Sequence, residues 1–196
     1  MVTNLKDSLT GGEDTQKPLA ATRGLFYTPA AMRTIEQPIP FIQQGSRPWC
    51  WAACCAMAIG YYKPAKYAPT MARIVEFAKL QPAGACTSHP PADALSGEYL
   101  HMMQLAIARL GQRKTMRSPP LSAQAFFDTL AADDVVIVAV PGHVMVGSGV
   151  RFPKPVYAAM EVRVHDPAEP EPFWTRYVDL SLTLTDCLVV HGRQYV

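Results

Sequence analysis

The spacing of apolar residues changes along the chain, from a helical period in the first half to alternation in the second. An apolar stretch at residues 50–62 begins after Pro48 and ends before Pro64, as expected for a helix bounded by two prolines. Ser122 is a typical N-cap for a helix that runs to about residue 132. The same reasoning predicts two more helices, over residues 69–80 and 98–110.

After residue 134 the pattern becomes that of β-strands separated by short turns. Extended segments spaced by proline also precede the first helix, around residues 35–42. Helices followed by a run of strands are typical of an α+β fold. The predicted strands are residues 135–140, 144–151, 156–164, 173–180 and 187–190.

Composition indicates one globular domain. The chain has 196 residues, of which 49% are apolar and 17% are charged, which is enough for a substantial core. A polar segment at residues 1–24 lacks the apolar stretch of a secretory signal peptide. We therefore expect a flexible tail at residues 1–24, followed by one folded domain at residues 25–196.

Charge, hydropathy and cysteine spacing argue against several other classes. A net charge of +2 and a pI near 8.3 give no basic patch of the kind that binds nucleic acids. The longest apolar stretches are far shorter than the roughly 20 residues that a membrane-spanning helix needs. Five cysteines without a Cys-x-x-Cys pair argue against a structural zinc site and a fully paired disulfide framework. Pairing among Cys54, Cys55, Cys86 and Cys187 stays open.

Cys50 stands at the predicted start of the first helix, and this position suits a nucleophile. The N-terminus of a helix carries about half a positive charge and unpaired N–H groups, which favour a thiolate over a thiol. A thiolate attacks carbonyl carbons. Gln44 lies upstream in the same segment, and its amide can donate a hydrogen bond to an oxyanion formed beside the Cys50 sulfur.

A thiol nucleophile needs a base and a group that orients the base. His143 follows a Pro-Gly turn and opens an apolar run, so we expect a strand to present it. Asp166 follows at the end of a predicted strand, where Pro167 holds it in place. His165 adjoins Asp166 but should point to the opposite face. The remaining histidines, His89, His101 and His191, are interpreted as structural or solvated.

The segment around Cys50 resembles the active-site region of papain-like cysteine peptidases, which runs Gln-Gly, a short spacer, then Cys-Trp-Ala. Residues 44–45 and 50–52 match at the same spacing, whereas residues 47–49 replace the usual Cys-Gly-Ser or Cys-Gly-Ala. The Trp-Cys-Trp-Ala-Ala form is more similar to compact bacterial members, namely double-glycine leader peptidases and secreted effector proteases. The resemblance implies a papain-like fold, in which the helix that begins at Cys50 packs on a C-terminal antiparallel sheet.

The same resemblance implies hydrolysis of peptide bonds by a triad of Cys50, His143 and Asp166, with Gln44 as oxyanion donor. It implies a protein or peptide substrate with small residues such as glycine at the cut, and no metal or organic cofactor. The pair Gly11-Gly12 in the tail is a candidate site of self-processing, because a double glycine behind spaced leucines resembles the leaders that such peptidases cut.

Other functions remain open alternatives. Transglutaminases, deamidases and acyltransferases use the same Cys-His-Asp set, and a peptide-binding module can keep the fold without activity. The chain can also be interpreted as a bacterial effector or toxin. Such a protein would be made in the cytosol without a signal peptide and exported by a specialised secretion system. Such a toxin would be matched by a dedicated inhibitor or immunity protein.

Each candidate residue also has a purely structural interpretation. A buried cysteine is usually inert, so Cys50 can belong simply to the core. His143 can be a strand-start histidine with satisfied hydrogen bonds, and Asp166 can cap the turn before Pro167. Gln44 can be an ordinary loop glutamine beside Gln43.

Overall fold

The computed structural model describes residues 33–81 and 99–192. The predicted tail at residues 1–24, the pair Gly11-Gly12, Cys86 and His89 lie outside these residues. The described part contains α-helices α1 (Cys50–Tyr62), α2 (Met71–Lys79), α3 (Leu100–Ala106), α4 (Ala123–Ala131) and α5 (Tyr177–Ser181).

Seven strands of the described residues form one antiparallel sheet. Their order is β2, β7, β3, β4, β5, β6, and the short β1 pairs with the far end of β4. This arrangement confirms the α+β class. The strands are β1 (Ile35–Glu36), β2 (Thr115–Ser118), β3 (Val135–Val140), β4 (His143–Arg151), β5 (Glu161–His165), β6 (Phe173–Arg176) and β7 (Asp186–Val190).

The sheet separates two apolar clusters, because successive side chains of a strand point to opposite faces. In β3, Ile137 belongs to the cluster around α1, while its neighbour Val138 belongs to the cluster around α4. Helix α1 is buried from Cys50 through Ile59, which explains its continuously apolar sequence. Burial of α1 against the sheet fixes the position of its first residue relative to β4.

The predictions for two strands were too long. The strand expected over residues 156–164 begins only at β5, because Tyr157–Ala159 form a 3₁₀ turn. The strand expected over residues 173–180 ends with β6, and α5 follows. The helical turn buries Tyr177 and Leu180, three positions apart in sequence, on one side.

Other predicted boundaries agree more closely with the structure. Helix α1 has the predicted bounds, and Ser122 caps α4 by accepting a hydrogen bond from the Ala125 N–H at 3.1 Å. Helix α3 is shorter than predicted and continues as a π-helical turn over Ile107–Gly111. None of the helices in residues 33–81 and 99–192 has the length and apolar character of a membrane span.

Candidate active site

Cys50 is the first residue of α1 and is buried. Among the described residues, no side chain caps this end of α1, and the first turn holds no acidic residue. The partial positive charge of the helix end is therefore not offset by an adjacent carboxylate. The indole of Trp49, directly before Cys50, packs under the guanidinium of Arg47 at 4.6 Å.

His143 is the first residue of β4, where the tight turn between β3 and β4 presents it. His143 pairs with Val140 across this turn, and Gly142 takes a φ of +75° that side chains disfavour. The turn that the Pro-Gly pair predicted therefore depends on the positive φ of Gly142. It places the imidazole at the end of the sheet beside the start of α1.

Asp166 follows the last residue of β5, and its Oδ1 lies 2.6 Å from Nε2 of His143. The side chains are 21% exposed for His143 and 14% exposed for Asp166, so the pair is partly shielded from water. Asp166 Oδ1 also accepts a hydrogen bond from the Ala168 N–H at 2.9 Å. Asp166 therefore caps its turn and contacts the imidazole at the same time.

Hydrogen bonds determine the charge of this pair. The bond to Asp166, and after it a bond to Cys50, raise the pKa of His143 to about 9, although burial opposes the shift. Burial alone would raise the pKa of Asp166, but the bonds from His143 and Ala168 outweigh it and lower that pKa. Near neutral pH, His143 is therefore an imidazolium that lies between the Asp166 carboxylate and the Cys50 sulfur. Because Nε2 faces Asp166, the other ring nitrogen, Nδ1, is left for the Cys50 sulfur.

Gln44 lies on a loop that is pinned to the turn after β5. Its backbone N–H donates to the Pro167 carbonyl at 2.9 Å, and the Gln43 amide donates to the Glu169 carbonyl at 3.1 Å. Gln43 is exposed and serves as an anchor, whereas Oε1 of Gln44 is buried and has no hydrogen-bond partner among the described residues. The structure thus brings the Gln44 loop beside Asp166, and it shows no hydrogen bond between the Gln44 side chain and Cys50.

The other described cysteines are free thiols packed in the core, at Cys54, Cys55 and Cys187. Burial, ahead of nearby charges, raises the pKa of all three. Cys54 Sγ donates to the Val144 carbonyl at 3.4 Å, which ties α1 to β4. Their burial gives these three thiols a structural role.

Sequence reasoning did not single out His165 as a functional residue. It is only 2% exposed, and its ring meets that of Phe41 edge to face at 5.8 Å. Within the described part of the chain, neither ring nitrogen has a hydrogen-bond partner. Burial, followed by the charge of Arg163, lowers the pKa of His165 to about 4. In the sequence it stands directly before the Asp-Pro pair, where strand alternation places its side chain on the face opposite to that of Asp166.

One cavity of the described residues lies close to Asp166 in sequence. A cavity of about 370 Å³ opens beside the turn after β5 and is lined by Glu169, Pro170, Glu171 and Phe173. Glu169 also accepts the anchor bond from Gln43. Among the described residues, no group of three or more His, Cys, Asp or Glu side chains is arranged to hold a metal ion.

Solved structures share this fold at low sequence identity. A C39-like peptidase from Bacillus anthracis superposes with a TM-score of 0.56 and 11% identity, over 83% of this chain and 100% of that one. A double glycine motif protease from an AMS/PCAT transporter, solved with its leader peptide, has a TM-score of 0.51 and 15% identity, over 80% of this chain and 94% of that one.

A third structure with this fold is UfSP from C. elegans, at a TM-score of 0.51 and 12% identity. The similarity covers 84% of this chain but only 34% of UfSP. No protein-family profile matches the sequence, and a comparison with curated proteins finds no match. The structural similarities confirm that the chain has the papain-like α+β fold that its sequence predicted.

Proposed function

We propose that this chain is a cysteine peptidase that uses Cys50, His143 and Asp166 as its catalytic triad. The observation that carries the proposal is the placement of His143 between the thiol at the start of α1 and a carboxylate 2.6 Å away. A structural histidine needs only one such partner. The fold shared with a C39-like peptidase and a double glycine motif protease supports the same conclusion.

In the first half of the reaction, the Cys50 thiolate attacks the carbonyl carbon of a peptide bond. A C–S bond forms, and the carbonyl electron pair moves to oxygen, giving a tetrahedral oxyanion. The Cys50 N–H and the Gln44 amide are the proposed donors to this oxygen. When the C–N bond breaks, the His143 imidazolium gives its proton to the leaving nitrogen, and a thioester remains on Cys50.

In the second half, water hydrolyses the thioester. Neutral His143 takes a proton from the water, whose oxygen forms a bond to the thioester carbon. The C–S bond then breaks, a carboxylic acid leaves, and the thiolate and imidazolium are restored. Asp166 holds the imidazole in place through both halves and stabilises its positive charge. All of these steps use groups of the chain and water.

The proposed substrate is a peptide or protein segment with small residues at the cut. The double glycine motif protease with the same fold was solved with a leader peptide. By analogy, the pair Gly11-Gly12 is a candidate cleavage site in this chain, and glycine is the residue to test first. A role as an exported effector or toxin would add a dedicated inhibitor protein as a partner.

A cleavage assay tests the proposal directly. The purified chain is incubated with a peptide library rich in glycine pairs and with a synthetic peptide of residues 1–24. New peptide termini, detected by mass spectrometry, should form with wild type and not with Cys50→Ser. Cys54→Ser is the matched control, because Cys54 lies on the same helix and is buried without a role in the triad. It should cleave like wild type.

The same spectra separate hydrolysis from its alternatives. Conversion of a glutamine side chain to glutamate, or its linkage to an added amine, would show deamidation or acyl transfer and contradict the peptidase proposal. A chain that binds peptides but alters none of them would be a binding module.

A further inference from the structure

Gln44 Oε1 and both ring nitrogens of His165 are among the buried side-chain atoms that have no hydrogen-bond partner in residues 33–81 and 99–192. The Gln44 side chain as a whole is half-buried, whereas His165 is almost fully buried. Buried polar groups in native proteins are nearly always hydrogen-bonded, so such exceptions point to a functional or structural role. Their capacities are complementary, because an amide oxygen only accepts a hydrogen bond and a neutral imidazole can donate one.

His165 lies on the face of β5 that is covered by the segment leading to Gln44. It pairs with Val146 of β4, whose side chain belongs to the cluster around α1. Phe41 of that segment stacks its edge against the His165 ring at 5.8 Å. The Gln44 backbone is bonded to Pro167, two residues after His165. The two side chains therefore start from neighbouring points of the backbone.

The charge state of His165 suits a donor of this kind. Burial and the charge of Arg163 lower its pKa to about 4, so at neutral pH it is uncharged and carries one ring N–H. His143 has the opposite environment, since its bonds to Asp166 and Cys50 keep it protonated. The two histidines of this region thus differ in charge at neutral pH: His143 is protonated and His165 is neutral.

We propose that His165 is a positioning residue that acts through Gln44. Its ring N–H donates to Gln44 Oε1 and so turns the carboxamide until its NH₂ group faces the oxyanion at Cys50. The contact closes when substrate binds, since catalytic hydrogen bonds are often long in unliganded enzymes and tighten in the complex. This inference rests on the proposed peptidase function.

A double-mutant cycle tests it, with 4-nitrophenyl acetate as the probe. This activated ester acylates a reactive thiol and forms the same kind of oxyanion as a peptide. Nitrophenolate release and intact mass are measured for wild type, Gln44→Ala, His165→Phe and the double variant. His165→Gln is included as a conservative variant that keeps a donor, and Cys50→Ala gives the background. Thermal unfolding of each variant shows whether it is folded.

The losses in kcat caused by the two substitutions are expected to be non-additive. Gln44→Ala should lower kcat about 100-fold, as is usual for one oxyanion donor, and His165→Phe should lower kcat about 10-fold with KM nearly unchanged. In the Gln44→Ala background, His165→Phe should not lower kcat further, because the carboxamide that His165 positions is absent. His165→Gln should recover part of the loss.

Two results would overturn the inference while leaving the peptidase proposal in place. One is an equal loss from His165→Phe in both backgrounds, and the other is a wild-type kcat for His165→Phe. If wild type itself shows no acylation of Cys50 above the Cys50→Ala background, the peptidase proposal fails and this inference fails with it.

Discussion

His143 Nε2 lies 2.6 Å from Asp166 Oδ1, and the antiparallel pairing of β4 with β5 accounts for this approach. Val146 pairs with His165, so the first residue of β4 lies next to the chain that leaves β5. A carboxylate placed directly after β5 therefore reaches an imidazole placed at the start of β4. The sheet register, rather than a flexible loop, sets the geometry of the pair.

Replacement of the Asp166 carboxylate should show whether it orients the His143 imidazole or contributes to substrate binding. Asp166→Asn keeps the shape of the side chain but removes its charge, so it no longer fixes the imidazole tautomer or stabilises the imidazolium. We expect kcat to fall about 10³-fold to 10⁴-fold with KM changed little, as for an orienting carboxylate in a hydrolytic triad. Steady-state kinetics on a cleaved peptide measure this.

The control for Asp166→Asn is Asp179→Asn, the same substitution at an exposed carboxylate of α5 that pairs with Arg176. It should keep a wild-type kcat. A kcat for Asp166→Asn within a factor of three of wild type would reduce Asp166 to the cap of its turn, through its bond to Ala168.

The raised pKa of His143 predicts the alkaline limit of activity. The imidazolium must protonate the leaving nitrogen, and its pKa of about 9 keeps that proton in place at neutral pH. We expect kcat/KM to fall as pH rises through about 9. In Asp166→Asn the main cause of the shift is lost, so the fall should move to lower pH. An unchanged limit in that variant would mean that the bond to Asp166 does not raise the pKa of His143.

The raised pKa of His143 also makes the free energy of unfolding depend on pH. Proton linkage gives the direction of this dependence. His143 binds its proton more tightly in the folded chain, with a pKa of about 9 against a usual value of 6.5. Its contribution is complete below pH 6.5 and is lost as pH rises from 6.5 to about 9. Urea denaturation at several pH values should show this loss in wild type and not in His143→Gln.

Much of this site could be predicted from local sequence. Cys50 at the start of α1 follows from the apolar stretch after Pro48, and His143 at the start of β4 follows from the Pro-Gly turn. Asp166 before Pro167 marks the end of β5. These signals are local, since helix starts, turns and strand ends depend on a few adjacent residues.

The parts that could not be predicted depend on tertiary pairing. The strand β2 is short and partly exposed, and it exists because it pairs with the edge of β7. The burial of His165 requires Phe41 to fold back over β5, a contact between residues far apart in sequence. The link from Gln44 to Pro167 is of the same kind. Local pattern does not encode such contacts.

Thiol reactivity should distinguish Cys50 from the core cysteines. Burial raises the pKa of Cys54, Cys55 and Cys187, so few of these groups are thiolates at pH 6. Iodoacetamide at pH 6 should therefore alkylate Cys50 at least 10-fold faster than any of the three, as read by peptide mapping. His143→Ala should remove this advantage, because it removes the imidazolium that contacts the Cys50 sulfur. If Cys50 reacts no faster than Cys54, the catalytic interpretation fails.

His165 should make the fold sensitive to mild acid. Its pKa is about 4 in the folded chain against a usual value of 6.5, so between these values only the unfolded chain takes up the proton. Stability should therefore fall as pH falls from 6.5 towards 4. His143 adds little slope over most of this window, because well below pH 6.5 it is protonated in the unfolded chain as well as in the folded one. In His165→Phe, the midpoint of urea denaturation should vary less between pH 6.5 and 4.5 than in wild type. An equal slope in both proteins would mean that His165 gains its proton without unfolding, which a ring enclosed by Phe41 and the sheet should not allow.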